Sequence, residues 1–229
     1  MAGPPAIVLL ARRPRLGEVK TRLASSLGAR TALELHRAFL ADTLRWMAGL
    51  ARLGWRARLE WSEPCRPSAA IRPLLARIDT GVQARGHLGR RIEAAMRRAL
   101  DSGAACVVAI GADAPHLGPR PAQTCRRLLR SMDVVFGPAE DGGYCLIAAR
   151  RLGSGWFERI PWGTSRVLRQ SLGRLRRAGA RVSLLAGSYD LDTVESLARL
   201  GRDLSRSAPL RRRLPATLQA LRRAGFGTH

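Results

Sequence analysis

Short apolar runs alternate along the chain with longer segments in which apolar residues recur at helical spacing. The first run, Ala6–Ala11, is followed by a helical pattern over residues 31–53 and by alternating apolar and polar residues over 55–61. That order predicts a β-α-β unit. A helix is then expected over 88–100, an apolar strand over 105–111, a helix over 121–130 and a strand over 133–136. Strands over Tyr144–Ala149 and 181–185 bracket a helix over 164–178, and helices over 194–200 and Pro215–Arg223 close the chain. Several strands are apolar throughout, as strands buried on both faces are. The predicted class is α/β, in three layers: a mostly parallel sheet with helices on both faces.

At 229 residues the chain is long enough for one substantial domain, and no repeat or low-complexity linker divides it, so residues 1–229 are expected to form one unit. From about Arg199 the sequence is most basic and least patterned, which suggests a surface helix pair or a partly mobile tail. The first apolar run ends at Arg12, too short to span a bilayer, and no basic segment precedes it. A cytoplasmic protein with no membrane span is the expectation. Cys65, Cys106, Cys125 and Cys145 lack paired metal-ligand spacing and read as buried free thiols. The histidines, His36, His87, His116 and His229, show no zinc spacing either.

The formal charge of +23 raises the question of a nucleic-acid partner. Arginines are spread over nearly every predicted helix and are not interleaved with aromatic residues, so a solvated arginine surface is the better reading and nucleic acid is not expected. All but one of the 40 Lys and Arg residues are arginine. The exception is Lys20. A compact ammonium differs from a planar guanidinium, and a site that needs a point charge on a phosphate would not accept the exchange.

In open α/β sheets ligands bind beyond the carboxyl ends of strands. The loop after the first strand contains Arg12, Gly17, Lys20, Thr21 and Arg22 and leads into a helix, where backbone N–H groups favour an anion. It lacks the spacing of a Walker loop, and an exposed basic turn is the plainer alternative. After the strand at 105–111, Asp113 stands as a hard oxygen donor for Mg2+ or Mn2+, or as a turn aspartate before Pro115. Asp190 and Asp192 follow a later strand; either could complete a metal site, although Asp192 to Glu195 also reads as a helix start. Glu140, Asp141, Gly142 and Gly143 join two strands and could bind hydroxyls or supply a base, with a plain hairpin turn as the alternative. Gln83, Gly86, Gly89 and Arg91 surround the start of a helix and could contact base, ribose or phosphate. His87 alone carries little information, and His116 reads as a turn cap.

Taken together, these segments resemble a family of proposed glycosyltransferases of GT-A-like nucleotide-diphospho-sugar transferase fold, of the radical-SAM/selenodomain-associated transferase 1 type. The resemblance runs from Ala6 to about Leu200. It rests on the segments 17–23 (Gly-Glu-Val-Lys-Thr-Arg-Leu), 86–91 (Gly-His-Leu-Gly-Arg-Arg), 111–115 (Gly-Ala-Asp-Ala-Pro), 137–144, 160–168 and 190–193 (Asp-Leu-Asp-Thr). More distantly the chain is similar to 2-phospho-lactate guanylyltransferase and to the molybdenum-cofactor guanylyltransferase, whose N-terminal loops also place a lysine near nucleotide phosphates. In related cytidylyltransferases the second aspartate of a segment like 190–193 pairs on the metal with one like Asp113, which singles out Asp192. Ala112 and Ala114 stand where the family usually has hydroxyl or thiol side chains around the first aspartate, and His87 replaces a usual aspartate.

The resemblance and the residues together imply a metal-dependent transferase. Its catalytic residues would be Lys20, Asp113 and Asp141, and Asp113 and Asp192 would hold Mg2+ or Mn2+. Arg12, Gly17, Lys20, Thr21, Arg22, Gln83, Gly86, Gly89 and Arg91 would bind the nucleotide and its phosphates. Glu140, Asp141, Gly142, Gly143 and Trp162 would face an acceptor. Glycosyl transfer from a nucleotide-sugar ranks first and nucleotidyl transfer from a nucleoside triphosphate second. A non-catalytic basic binding module is the alternative from another class, and a homodimer is compatible with either.

Overall fold

The structure, a computed structural model, describes residues 3–226. His229 lies outside the described residues. Seven strands, β1 (Ala6–Ala11), β2 (Arg56–Trp61), β3 (Asp79–Val82), β4 (Val107–Gly111), β5 (Val134–Pro138), β6 (Tyr144–Ala149) and β7 (Val182–Leu184), form one sheet in the order β3-β2-β1-β4-β6-β5-β7. β1 pairs in parallel with β2 and β4, β2 with β3, and β5 with β7, whereas β6 runs antiparallel to β4 and β5. The expected mostly parallel α/β sheet is therefore present.

The side-chain period of two divides each central strand between two cores. Ile7 and Leu9 of β1 with Val108 and Ile110 of β4 meet Leu40, Leu44 and Met47 of the long helix α2 (Ala29–Arg52), which α1 (Thr21–Leu27) precedes. Val8 and Ala109 face the other way, against Ile92 and Met96 of α3 (Leu88–Asp101). α4 (Pro119–Leu128) adds Cys125 to the first core and α5 (Val167–Arg177) adds Leu175 to the second.

Three helices end the described chain: α6 (Val194–Arg206), α7 (Ala208–Arg213) and α8 (Pro215–Arg223). They are not a loose surface tail. Leu200, Leu204, Leu214 and Leu221 are fully buried in a third core with Leu23, Leu35 and Phe39 of α1 and α2. Asp42 of α2 fastens this layer, because its carboxylate accepts the backbone N–H groups of Ala216 and Thr217 at the start of α8, at 3.3 and 2.7 Å. A carboxylate at a helix N-terminus satisfies donors that the helix itself leaves free. Most of the arginines that made this stretch look surface-bound are exposed, Arg211 and Arg213 being half-buried, and leucines at helical spacing do the packing.

The short elements α1, β3 and α7 carried little signal. β3 is a four-residue edge strand with no apolar pattern, and α7 holds no buried residue, its first turn being capped by Ser207. Cys106, Cys125 and Cys145 are buried free thiols as expected, but Cys65 is only partly buried.

Candidate functional site

The chain runs outward from β1 to β2 and β3, then returns to β4 on the other side of β1. Such a reversal opens a crevice at the carboxyl ends of the two strands. A cleft of about 580 Å³ lies there, lined by the β1 end, the loop into α1, the start of α3, the β4 end and the 190–192 loop.

At its floor Lys20 lies between two carboxylates. Its Nζ is 2.5 Å from Asp113 Oδ1 and 2.7 Å from Asp192 Oδ1, and its side chain is only 3% exposed, against 46% for Asp113 and 40% for Asp192. The ammonium also sits 5.5 Å from the centroid of the buried Phe39 ring. Lys20 has a left-handed backbone, φ 50° and ψ 47°, at the position before α1. A non-glycine residue is held there only where its surroundings over-determine it, and here the ion pairs and Phe39 do so. Burial works against the ammonium's charge, but the two carboxylates outweigh it and hold its pKa above the ordinary lysine value. Desolvation opposes the charge of Asp113 too, and Lys20 more than compensates, so that carboxyl titrates below the usual range. The two loops meet directly as well, where the Leu191 N–H donates to the Asp113 carbonyl at 2.9 Å.

The predicted phosphate-side residues are largely brought together. Arg12, Lys20, Thr21, Arg22, Gln83, Gly86 and Arg91 all line the cleft, but the Lys20 ammonium, expected on a phosphate, is almost wholly buried and spent on Asp113 and Asp192. Arg12 and Arg22 are exposed on its rim, while Arg91 donates through Nε to the Gly86 carbonyl at 2.8 Å and fixes the turn into α3. Gln83 Nε2 donates to the carbonyls of Ala11 and Glu60, at 3.2 and 2.8 Å, so its amide nitrogen is spent on neighbouring strands. Gly17 and Gly89 do not line the cleft. Gly17 occupies an exposed turn at φ 79°, and Gly89 lies under Trp162, where an added Cβ would stand 2.1 Å from the indole.

The predicted acceptor side is assembled differently. Glu140 turns away to α6, where Arg199 donates to both of its oxygens at 2.7 and 2.9 Å. Asp141 Oδ1 accepts from the Gly143 N–H at 2.8 Å, closing the β5–β6 turn, although its charge still reaches Asp190. Gly142 is a packing glycine with φ 85°, for a Cβ there would meet the Ser165 carbonyl at 2.1 Å. Trp162 is wedged among Gly89, His87, Tyr144 and Phe157. None of Glu140, Asp141, Gly142, Gly143 and Trp162 lines the cleft. In this structure Asp141, Gly142 and Gly143 serve the β5–β6 turn.

Asp190, His36, Tyr144 and Cys145 are among the cleft residues that carried no assigned role. Asp190 has its pKa pushed up to about 7, by burial first and then by the charges of Asp113, Asp192 and Asp141. His36 on α2 is 3% exposed, with Nε2 3.2 Å from the Arg12 carbonyl, and burial lowers its pKa. Since a carbonyl only accepts, Nε2 carries the proton in that bond and the ring pins the start of the basic loop. Tyr144 and Cys145 line the opposite wall from the start of β6. Asp190 was visible as one of an aspartate pair, whereas nothing marked a lone histidine on an apolar helix face.

A family described as uncharacterized protein conserved in bacteria (DUF2064) matches residues 47–164. No curated protein matches the chain. Among solved structures, a proposed nucleotide-diphospho-sugar transferase from Desulfovibrio desulfuricans G20 is 30% identical, covers 97% of this chain and 96% of its own, and superposes with a TM-score of 0.84. A cytidylyltransferase from Leptospira borgpetersenii serovar Hardjo-bovis (strain JB197) is 12% identical over 97% of this chain and 95% of its own, with a TM-score of 0.55. A CMP:2-keto-3-deoxy-manno-octonic acid synthetase solved with CTP is 12% identical, covers 89% of this chain and 99% of its own, and has a TM-score of 0.50. At that identity the last two show the fold alone. The chain belongs to the family of uncharacterized proteins conserved in bacteria (DUF2064) and has the α/β fold of the nucleotide-diphospho-sugar transferase it resembles.

Proposed function

We propose that the protein is a divalent-metal-dependent transferase that binds the diphosphate of a nucleotide, with glycosyl transfer from a nucleotide-sugar as the leading reaction. The observation that carries this reading is the convergence of Asp113 and Asp192 on one cation, Lys20 Nζ, beneath a rim bearing Arg12 and Arg22. Carboxylates from two separate loops that already share a cationic nitrogen at 2.5 and 2.7 Å are disposed to share a hard cation. Among the described residues no group of three or more His, Cys, Asp or Glu is disposed to hold a metal ion. Mg2+ or Mn2+ is commonly held by one or two carboxylates, with waters and substrate phosphates completing its shell. When bound, such an ion supplies neutralisation of charge on the leaving phosphate.

The chain's own residues do the rest. Arg12 and Arg22 draw the diphosphate to the mouth, and Lys20 keeps the two carboxylates from repelling each other. His36 and Arg91 fix the loops on either side through the Arg12 and Gly86 carbonyls. Positioning of this kind, in a site whose charges are already oriented, is the main source of rate in phosphate-linked transfer.

Nucleotidyl transfer from a nucleoside triphosphate is the second reading, and one observation favours it. Glu140 is held by Arg199 through both oxygens beside α6, and neither it nor Asp141 is among the residues lining the cleft, so no hairpin carboxylate stands in the cleft wall to activate an acceptor hydroxyl. Transfer to a phosphate acceptor needs charge neutralisation and alignment more than a base. Incubation with Mn2+ and a panel of nucleotide-sugars and nucleoside triphosphates separates the two. Release of nucleoside diphosphate supports glycosyl transfer, release of pyrophosphate supports nucleotidyl transfer, and absence of both with every donor counts against a transferase.

A further inference from the structure

We propose that His116 and Tyr189 form a latch behind the cleft that sets the spacing of Asp113 and Asp192, which makes them positioning residues. This rests on the reading of those two aspartates as the metal-side carboxylates. His116 lies three residues after Asp113, and Tyr189 lies three before Asp192. Their rings stack at 4.3 Å with planes 23° apart, and His116 Nε2 lies 3.1 Å from Ser188 Oγ. The loops that carry the two aspartates are therefore joined side chain to side chain by residues that do not line the cleft.

Each half of the latch is itself anchored to the C-terminal helices. The Tyr189 hydroxyl donates to Asp203 Oδ2 of α6 at 2.7 Å, and the Arg199 guanidinium lies 4.0 Å over the tyrosine ring while it holds Glu140. Arg213 of α7 donates to the His116 carbonyl at 2.6 Å. The pair is thus a rigid block rather than two side chains meeting by chance. Packing alone would be served better by phenylalanine at 116, because the buried Nδ1 has no partner among the described residues. The histidine is explained by its bond to Ser188, the residue that also pairs with Ala139 at the end of the β5 segment.

Two readouts test this, one of them independent of any metal. Amide hydrogen exchange at Leu191, whose N–H donates to the Asp113 carbonyl, reports whether the two loops stay docked. His116→Ala should accelerate it at least tenfold while β1 amides stay as protected as in the native protein, and Tyr189→Phe, which keeps the stack but loses Asp203, should accelerate it several-fold. Mn2+ affinity, read by electron paramagnetic resonance, should fall at least tenfold in His116→Ala while metal-free nucleotide affinity changes less than threefold. Unchanged Leu191 exchange overturns the proposal, as does Mn2+ affinity within twofold of the native protein. If His116→Ala does not fold, Tyr189→Phe and Ser188→Ala decide on the same criteria. If the native protein binds no Mn2+, the metal reading fails by itself and Leu191 exchange alone decides the latch.

Discussion

Lys20 donates to Asp192 Oδ1 at 2.7 Å across 172 residues of sequence. This bond, with its twin to Asp113, ties the basic loop after β1 to the acidic loops after β4 and β7, and it explains why one lysine persists among arginines. The space between the carboxylates takes a compact ammonium that is almost wholly buried; a planar guanidinium is wider and needs in-plane partners for five N–H groups. Lys20→Met should lower stability by roughly 1–3 kcal/mol, less than for a fully buried pair because both aspartates reach solvent. Lys20→Arg should not restore it. Urea denaturation midpoints of the three proteins check both statements.

Gly89→Ala tests the structural reading of Trp162. The new Cβ would stand 2.1 Å from the indole, so the ring must leave its seat against α3. Overpacking of this kind costs about 1–3 kcal/mol. The expected signature is a lower melting temperature with a red-shifted tryptophan emission, and an unchanged spectrum would contradict the packing of Trp162 on Gly89.

His116 gives stability a dependence on pH. Burial lowers its pKa to about 4, against about 6.5 when unfolded. The unfolded chain therefore takes up the proton first, and the stabilisation present above about pH 6.5 is lost as pH falls toward about 4. Replacing His116 by Phe should flatten the melting-temperature profile across that window, as measured by scanning at fixed ionic strength.

Asp133 acts lower on the scale. Hydrogen bonds from Arg151, from the Arg181 N–H and from Arg150 outweigh burial and hold its carboxyl well below the usual carboxylate range. Its contribution is full above the unfolded carboxylate pKa of about 4 and is lost as pH falls below that value. Asp133→Asn should lower the melting temperature at pH 7, and its curve should converge with that of the native protein in acid.

How much of this was legible follows from where each signal lives. The central strands were readable because Ile7, Val8 and Leu9 and their counterparts Val107, Val108, Ala109 and Ile110 are apolar on both faces in runs too short for a buried helix, as in a covered sheet. Asp113 and the pair Asp190 and Asp192 drew notice because each follows a strand, where a fold of this type places its ligands, while the choice of Asp192 within the pair came from the resemblance to cytidylyltransferases and not from position. The place of the hairpin was not legible, because Asp141-Gly142-Gly143 satisfies a turn and an acidic site equally well in one dimension; the pairing of Glu140 with Arg199, 59 residues away, is a tertiary contact that no local pattern encodes. The C-terminal helices were misjudged because their arginines dominate composition, while burial depends on the spacing of Leu200, Leu204, Leu214 and Leu221. His36, His116 and Tyr189 act through contacts made by packing, and no local pattern encodes those.

The central claim is that Asp113 and Asp192, held by Lys20, couple a divalent metal to nucleotide phosphate. Calorimetric titration of a nucleoside diphosphate, with and without Mn2+, into the native protein and into Asp113→Asn tests it most directly. The account predicts that Mn2+ tightens binding at least tenfold in the native protein and less than twofold in the variant. Equal tightening by Mn2+ in both proteins would contradict it.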